Sequence, residues 1–153
     1  MSCIAMATDR DDVVLLPLEN PLQTAAFDYE ARHSPQSPKF SRAMVIHGCE
    51  KAAILVSGTA SIDKAGHTVF LDDCRAQVAK TMEVVQAILE SRQMGWADVT
   101  RALAYFKRAE EAPLLAAYRQ ENDLPQFPVI VAENDVCRHD LLFEIEVDAV
   151  KVQ

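Results

Sequence analysis

Glycine is scarce in this chain, with four residues in 153. No Gly-rich phosphate loop is present, and neither a G-x-S-x-G turn nor an H-E-x-x-H pair occurs. Positive charge is also thin: 15 Lys and Arg stand against 23 Asp and Glu, for a net charge of −8. The cations are scattered, and no basic run appears. A general RNA or DNA binder needs a cationic face to displace phosphate counterions, so nucleic acid is not an expected partner. The four cysteines, Cys3, Cys49, Cys74 and Cys137, form no C-x-x-C pair and read as reduced thiols of a cytosolic protein. His47-Gly48-Cys49 and Cys137-Arg138-His139 could together supply four zinc ligands. One intervening residue is shorter than the usual ligand spacing, so no metal or other cofactor is expected. Apolar runs such as Ala52 to Val56 are too short to span a bilayer. The opening Met1 to Met6 lacks a basic region and runs straight into Asp9-Arg10-Asp11-Asp12, so no signal peptide is expected. A cytoplasmic protein without membrane attachment is the expectation.

What is present suffices for one domain. Half of the residues are apolar. A chain of this size buries roughly 70% of the surface its unfolded form exposes, with no disulfide needed. Residues 1–39 read as an irregular arm, broken by Pro17, Pro21, Pro35 and Pro38, with a short edge strand at Val13 to Leu16. Residues 40–153 read as the folded domain. Arg42 to His47 and Ala52 to Ser57 predict strands, the second ending at Gly58. After a turn at Asp63-Lys64-Ala65-Gly66, His67 to Phe70 predicts a third.

Asp72 or Asp73 can cap a helix whose stripe is Cys74, Val78, Met82, Val85 and Leu89, with Ile88 beside it and Gly95 as the stop. Asp98 to Lys107 predicts a strand, with Leu103, Tyr105 and Lys107 on one face and Ala102, Ala104 and Phe106 on the other. A second helix starts near Glu110-Glu111, tolerates Pro113 in its first turn, buries Leu114, Leu115 and Tyr118, and ends before Pro125. Phe127 to Glu133 and the alternating Leu141 to Val150 predict the last strands. The order is βββ-α-β-α-ββ, an α+β, two-layer domain with a mostly antiparallel sheet. Two helices cover only one face of such a sheet. The other face would mix Glu144 and Glu146 with apolar residues, and such a face invites association.

Val56-Ser57-Gly58-Thr59-Ala60-Ser61-Ile62-Asp63 resembles the strand-and-turn motif of the Rid (YjgF-type, endoribonuclease L-PSP-like) family. Leu141-Leu142-Phe143-Glu144-Ile145-Glu146 resembles that family's final strand, and the elements between fall in its order over about residues 40–150. Glu19 to Gln23, Ser34 to Ala43 and Asp135 to Leu142 are in addition similar to segments in the Rid-like C-terminal half of the longer chorismatases. The resemblance implies a homotrimer of chorismate-mutase-like fold, with small-molecule sites between subunits. It further implies hydrolysis of enamines and imines derived from amino acids, releasing ammonia and a 2-keto acid. In that family an arginine grips the substrate carboxylate and a glutamate positions water. The glutamate matches Glu144. An ungapped count back from it puts Val129 at the arginine's place, and an isopropyl group cannot replace a fork of N–H donors. The family's N-terminal aromatic corresponds to Phe40.

Each candidate has two readings. Glu144 is either a cleft carboxyl that exchanges protons near neutral pH, or a sheet-face glutamate paired across an interface. Arg138, in the turn before the last strand, either anchors a ligand carboxylate or ties the turn to a neighbouring acid. Arg42 has the same pair of readings. Ser57 and Gly58 either offer backbone N–H groups to a ligand or serve turn geometry. Tyr105 lines the cleft or packs in the core. Cys137 is a nucleophile activated by its cationic neighbours or a packed thiol. The partners expected are further copies of the chain and a small carboxylate-bearing metabolite. That metabolite is either turned over by a hydrolase or deaminase, or bound by a non-catalytic protein. A chorismatase-like hydrolase or a partial site of that type is the third reading.

Overall fold

A computed structural model describes residues 5–28 and 39–152. The chorismatase-like stretch at 34–38, with Pro35 and Pro38, lies outside the described residues, as does the opening at 1–4. Among the described residues six strands form one sheet: β1 (Val14–Leu18), β2 (Ala43–His47), β3 (Lys51–Ala60), β4 (Val99–Phe106), β5 (Val129–Glu133) and β6 (Phe143–Val152). Their spatial order is β1-β2-β3-β6-β4-β5. Only the β4–β5 pair is parallel, because α2 (Pro113–Glu121) carries the chain back between them. The long helix α1 (Cys74–Glu90) links β3 to β4. The fold is therefore α+β in one domain, as the sequence predicts.

Alternation decides which side of the sheet each residue takes. Ala43, Val45, Ile54, Val56, Ala102, Ala104, Phe106, Phe143, Ile145 and Val147 are buried under α1, against Val78, Met82, Val85, Ile88 and Leu89. Phe106 meets Phe143 at a centroid distance of 4.7 Å. Each fully buried apolar side chain of this size contributes about 1.5–3 kcal/mol. Asp73 caps α1 by accepting a hydrogen bond from the Ala76 N–H at 3.0 Å.

Several boundaries differ from the sequence reading. His67 to Phe70 is not a strand; it makes a single bridge, Ile62 to Thr68. The Asp63 carboxylate accepts from the N–H groups of Ala65 and His67 and curls the backbone away from a ladder. The first three strands are instead β1, β2 and β3. β3 does not end at Gly58 but continues to Ala60 through a bulge, where the register on β6 slips between Val56 and Thr59. α1 stops before Gly95: Gln93 takes the left-handed conformation (φ 56°), and the Met94 N–H closes onto Leu89 O at 3.0 Å. β5 begins at Val129 rather than Phe127, and β6 at Phe143 rather than Leu141. Phe127 instead stacks on Trp96.

The arm is bound to the domain over residues 14–23. β1 adds to the sheet edge beside β2. The buried Asn20 donates to Val84 O at 2.8 Å, and Gln23 donates to Ala60 O and Ile62 O at 2.9 and 3.1 Å.

Candidate active site

The face away from the helices carries Met44, Ile46, Leu55 and Leu103, all half-buried, and Ile130, which is 66% exposed. Glu144, Glu146 and Asp148 run along the same face on β6, spaced two residues apart. Asp148 is paired with Arg101, whose Nε donates to it at 2.6 Å. Glu144 is different. It lies opposite Ala60 on β3 and Tyr105 on β4. It is half-buried, and among the described residues it accepts no hydrogen bond and pairs with no cation. Desolvation raises its carboxyl above the ordinary glutamate range, and the neighbouring Glu146 charge raises it further.

The bulge in β3 explains where that carboxyl rests. It brings Gly58 beneath the Glu144 side chain. A Cβ on Gly58 would lie 3.0 Å from Glu144 Cδ and would overlap Oε1. Only a residue without a side chain leaves this space open. Ser57 takes no ligand-facing role through its N–H. That group donates to Arg42 O at 3.0 Å, and its hydroxyl donates to Ser41 O at 2.8 Å. Of the two backbone N–H groups proposed for a ligand, the one on Ser57 is thus already bonded.

Tyr105 is half-buried on the Glu144 face. Its phenol is raised by desolvation and then by the charges of Glu146 and Glu144. Cys137 is exposed rather than packed in the core. Desolvation and the Glu144 charge raise its thiol, while Arg138 and Arg42 act in the opposite sense. The two arginines, Cys137 and Glu144 thus share one neighbourhood. The net effect of these surroundings on the thiol is upward, against the pull of its cationic neighbours. Arg138 donates from Nη1 to Gly66 O at 2.7 Å, so it ties the 63–70 loop to the turn before β6. Arg42 is 3% exposed, donates to Thr24 O from Nε and Nη2, and stands 5.7 Å from the ring of Phe40. Phe40 itself is 40% exposed.

Val129 does not face Glu144. It pairs with buried Ala102 and packs against the helix-side core, while Ile130 and Ala132 take the open face. In this register the place counted back from Glu144 is turned away from the site. Among the described residues no three His, Cys, Asp or Glu are gathered as metal ligands. No helix among them is long and apolar enough to cross a membrane. A concavity of about 580 Å³ lies on the helix side, between α1, α2 and the 63–70 loop, away from Glu144.

Sequence reasoning missed Gln77. It is fully buried, and its carboxamide binds Phe70 O, Asp140 O and the Leu142 N–H. Its signal was faint: Gln77, Thr81, Val84 and Ile88 recur at helical spacing, a second buried stripe beside the apolar one.

The Endoribonuclease L-PSP family profile matches residues 32–151. A 3-hydroxybenzoate synthase from Streptomyces hygroscopicus is 30% identical over 145 residues, which cover 84% of this chain and 42% of that protein. A chorismatase crystal structure superposes with a TM-score of 0.78 at 26% identity, covering 89% of this chain and 44% of its own. The chain thus spans less than half the length of these two relatives. The Rid protein YyfA from Yersinia pestis superposes with a TM-score of 0.63 at 17% identity, over 79% of this chain and 95% of its own, and shares the fold. The family match over residues 32–151, on a fold shared with Rid and YjgF structures, assigns this chain to the endoribonuclease L-PSP family, the Rid or YjgF proteins.

Proposed function

We propose that this protein acts on a small carboxylate-bearing metabolite, with Glu144 as its acid and base, in clefts completed by further copies of the chain in a homotrimer. The observation that carries the reading is the state of Glu144. It is half-buried without a hydrogen-bond partner among the described residues, and its carboxyl is held above the ordinary range. A carboxyl whose neutral form is favoured by desolvation holds its proton to higher pH than an exposed glutamate and is suited to act as a general acid.

Enamines and enol ethers share a chemistry that uses such a group. The neutral carboxyl protonates the terminal carbon of the C=C bond, and the remaining carbon becomes an iminium or oxocarbenium ion. Water adds to that cation and returns a proton to the Glu144 carboxylate. Collapse of the adduct releases ammonia or an alcohol together with a 2-keto acid. Glu144 is open on its solvent side, and the surrounding face is part apolar. Both features favour a site closed by a neighbouring copy.

Between the two leaving groups, the enol ether gains support from the relatives. The chorismatase and the 3-hydroxybenzoate synthase are 26% and 30% identical to this chain, against 17% for the Rid protein YyfA. A non-catalytic, ligand-binding role is the second reading. It is favoured by Val129, which supplies no clamp and faces the core. Assaying purified protein against 2-aminoacrylate-type enamines and chorismate, in parallel with thermal shifts by the same compounds, separates the two. Turnover of any member supports catalysis. A raised melting temperature with no turnover of any member supports binding alone.

A further inference from the structure

We propose that Gln77 is a positioning residue for Glu144, fixing how deep its carboxylate sits above Gly58 by acting as a stand-in for a strand neighbour at the start of β6. Gln77 lies in the first turns of α1 and is fully buried. Its Nε2 donates to Asp140 O at 2.9 Å, and its Oε1 accepts from the Leu142 N–H at 2.8 Å. These two groups flank Leu141 and are the pair a neighbouring strand would bond. A carboxamide carries a donor and an acceptor side by side, as a peptide does, and no other side chain of this length does. The second Nε2 proton goes to Phe70 O at 3.2 Å.

The other side of the same peptide is held as well, since the Lys107 N–H donates to Leu142 O at 3.0 Å. Leu142 is therefore clamped at both its N–H and its C=O, and Glu144 follows two residues later. The clearance above Gly58 leaves no room for a Cβ, so a small slide of β6 changes the contact between Glu144 and the bulge. Backbone position at 142 and carboxyl position at 144 are thereby coupled through one short, extended segment.

This inference rests on Glu144 as the working carboxyl, but its test needs no substrate. In the full chain, Gln77→Met removes the amide at nearly equal volume, and Gln77→Asn keeps an amide drawn back by one methylene. The readout is the carboxyl ¹³C titration of Glu144, assigned by comparison with Glu144→Gln. In Gln77→Met the midpoint falls toward that of an exposed glutamate, because the carboxylate moves into water; Gln77→Asn shifts it the same way by a smaller amount. Val78→Ala, a cavity on the same helix that touches none of these bonds, lowers the melting temperature and leaves the midpoint where it was. An unshifted midpoint in whichever Gln77 variant folds, or an equal shift in Val78→Ala, overturns the proposal. Loss of the catalytic reading would show elsewhere, as unchanged turnover in Glu144→Gln, and would leave this titration result intact.

Discussion

Gly58 and Glu144 occupy one another's space: the carboxyl of Glu144 rests where the side chain of residue 58 would be, 3.0 Å from an ideal Cβ to Cδ. The contact is possible because β3 carries one extra residue between Val56 and Thr59. Gly58→Ala should therefore push the carboxyl outward; the displaced atoms are the far end of a flexible side chain, so stability falls by less than about 1 kcal/mol. Chemical denaturation of the variant checks this, and a larger loss would show that the carboxyl cannot yield.

Glu144 carries a stability cost at neutral pH. Its folded-state carboxyl lies above the unfolded value, so the folded chain holds the proton to higher pH. The associated stability is fully present below the unfolded value and is lost as pH rises through the folded one. Glu144→Gln should melt above the wild type at pH 8, with the difference closing near pH 4. Melting curves at the two pH values read this directly. A difference that is constant with pH would mean that the carboxyl is not desolvated.

The docked arm segment should be structural. Asn20→Ala removes a buried donor to Val84 O and leaves the cavity of its own side chain. A loss of about 1–3 kcal/mol is expected, from a hydrogen bond whose partner sits away from water. Equilibrium unfolding measures it. Pro21→Ala, at an exposed neighbour, should change stability by less than about 0.5 kcal/mol.

Much of this architecture was legible because two periodicities were strong. The stripe from Cys74 to Leu89 recurs at three and four residues, and β6 alternates strictly, so the start of α1 and both ends of β6 could be placed within two residues, whereas α1 ends at Glu90, well before the expected stop at Gly95. The predicted strand at 67–70 failed because local Asp63 hydrogen bonds outcompeted the ladder, a contest that β-propensity does not register. Gly58 was read as a strand end, although an isolated glycine in an apolar strand equally marks a bulge. Glu144 was visible through its likeness to the family's last strand; Gln77 was not, because a glutamine at the start of a helix reads as a solvated residue until its partners, 63 and 65 residues away, are known.

An ungapped count puts Val129 where an arginine is expected, and its register with Ala102 turns it toward the core. Val129→Arg should consequently add no affinity for small carboxylates. It should instead cost roughly 1–3 kcal/mol by forcing a long cation against the helix-side packing. Calorimetric titration with pyruvate, alongside a melting curve, tests both halves.

The central claim is that Glu144 handles protons for the reaction. Turnover of the best compound in the enamine and chorismate panel, compared between wild type and Glu144→Gln at equal solution mass, tests it most directly. A fall in kcat/KM of about 10²- to 10⁴-fold is expected in Glu144→Gln, the range for removing a general acid or base. Equal rates in the two proteins would contradict it.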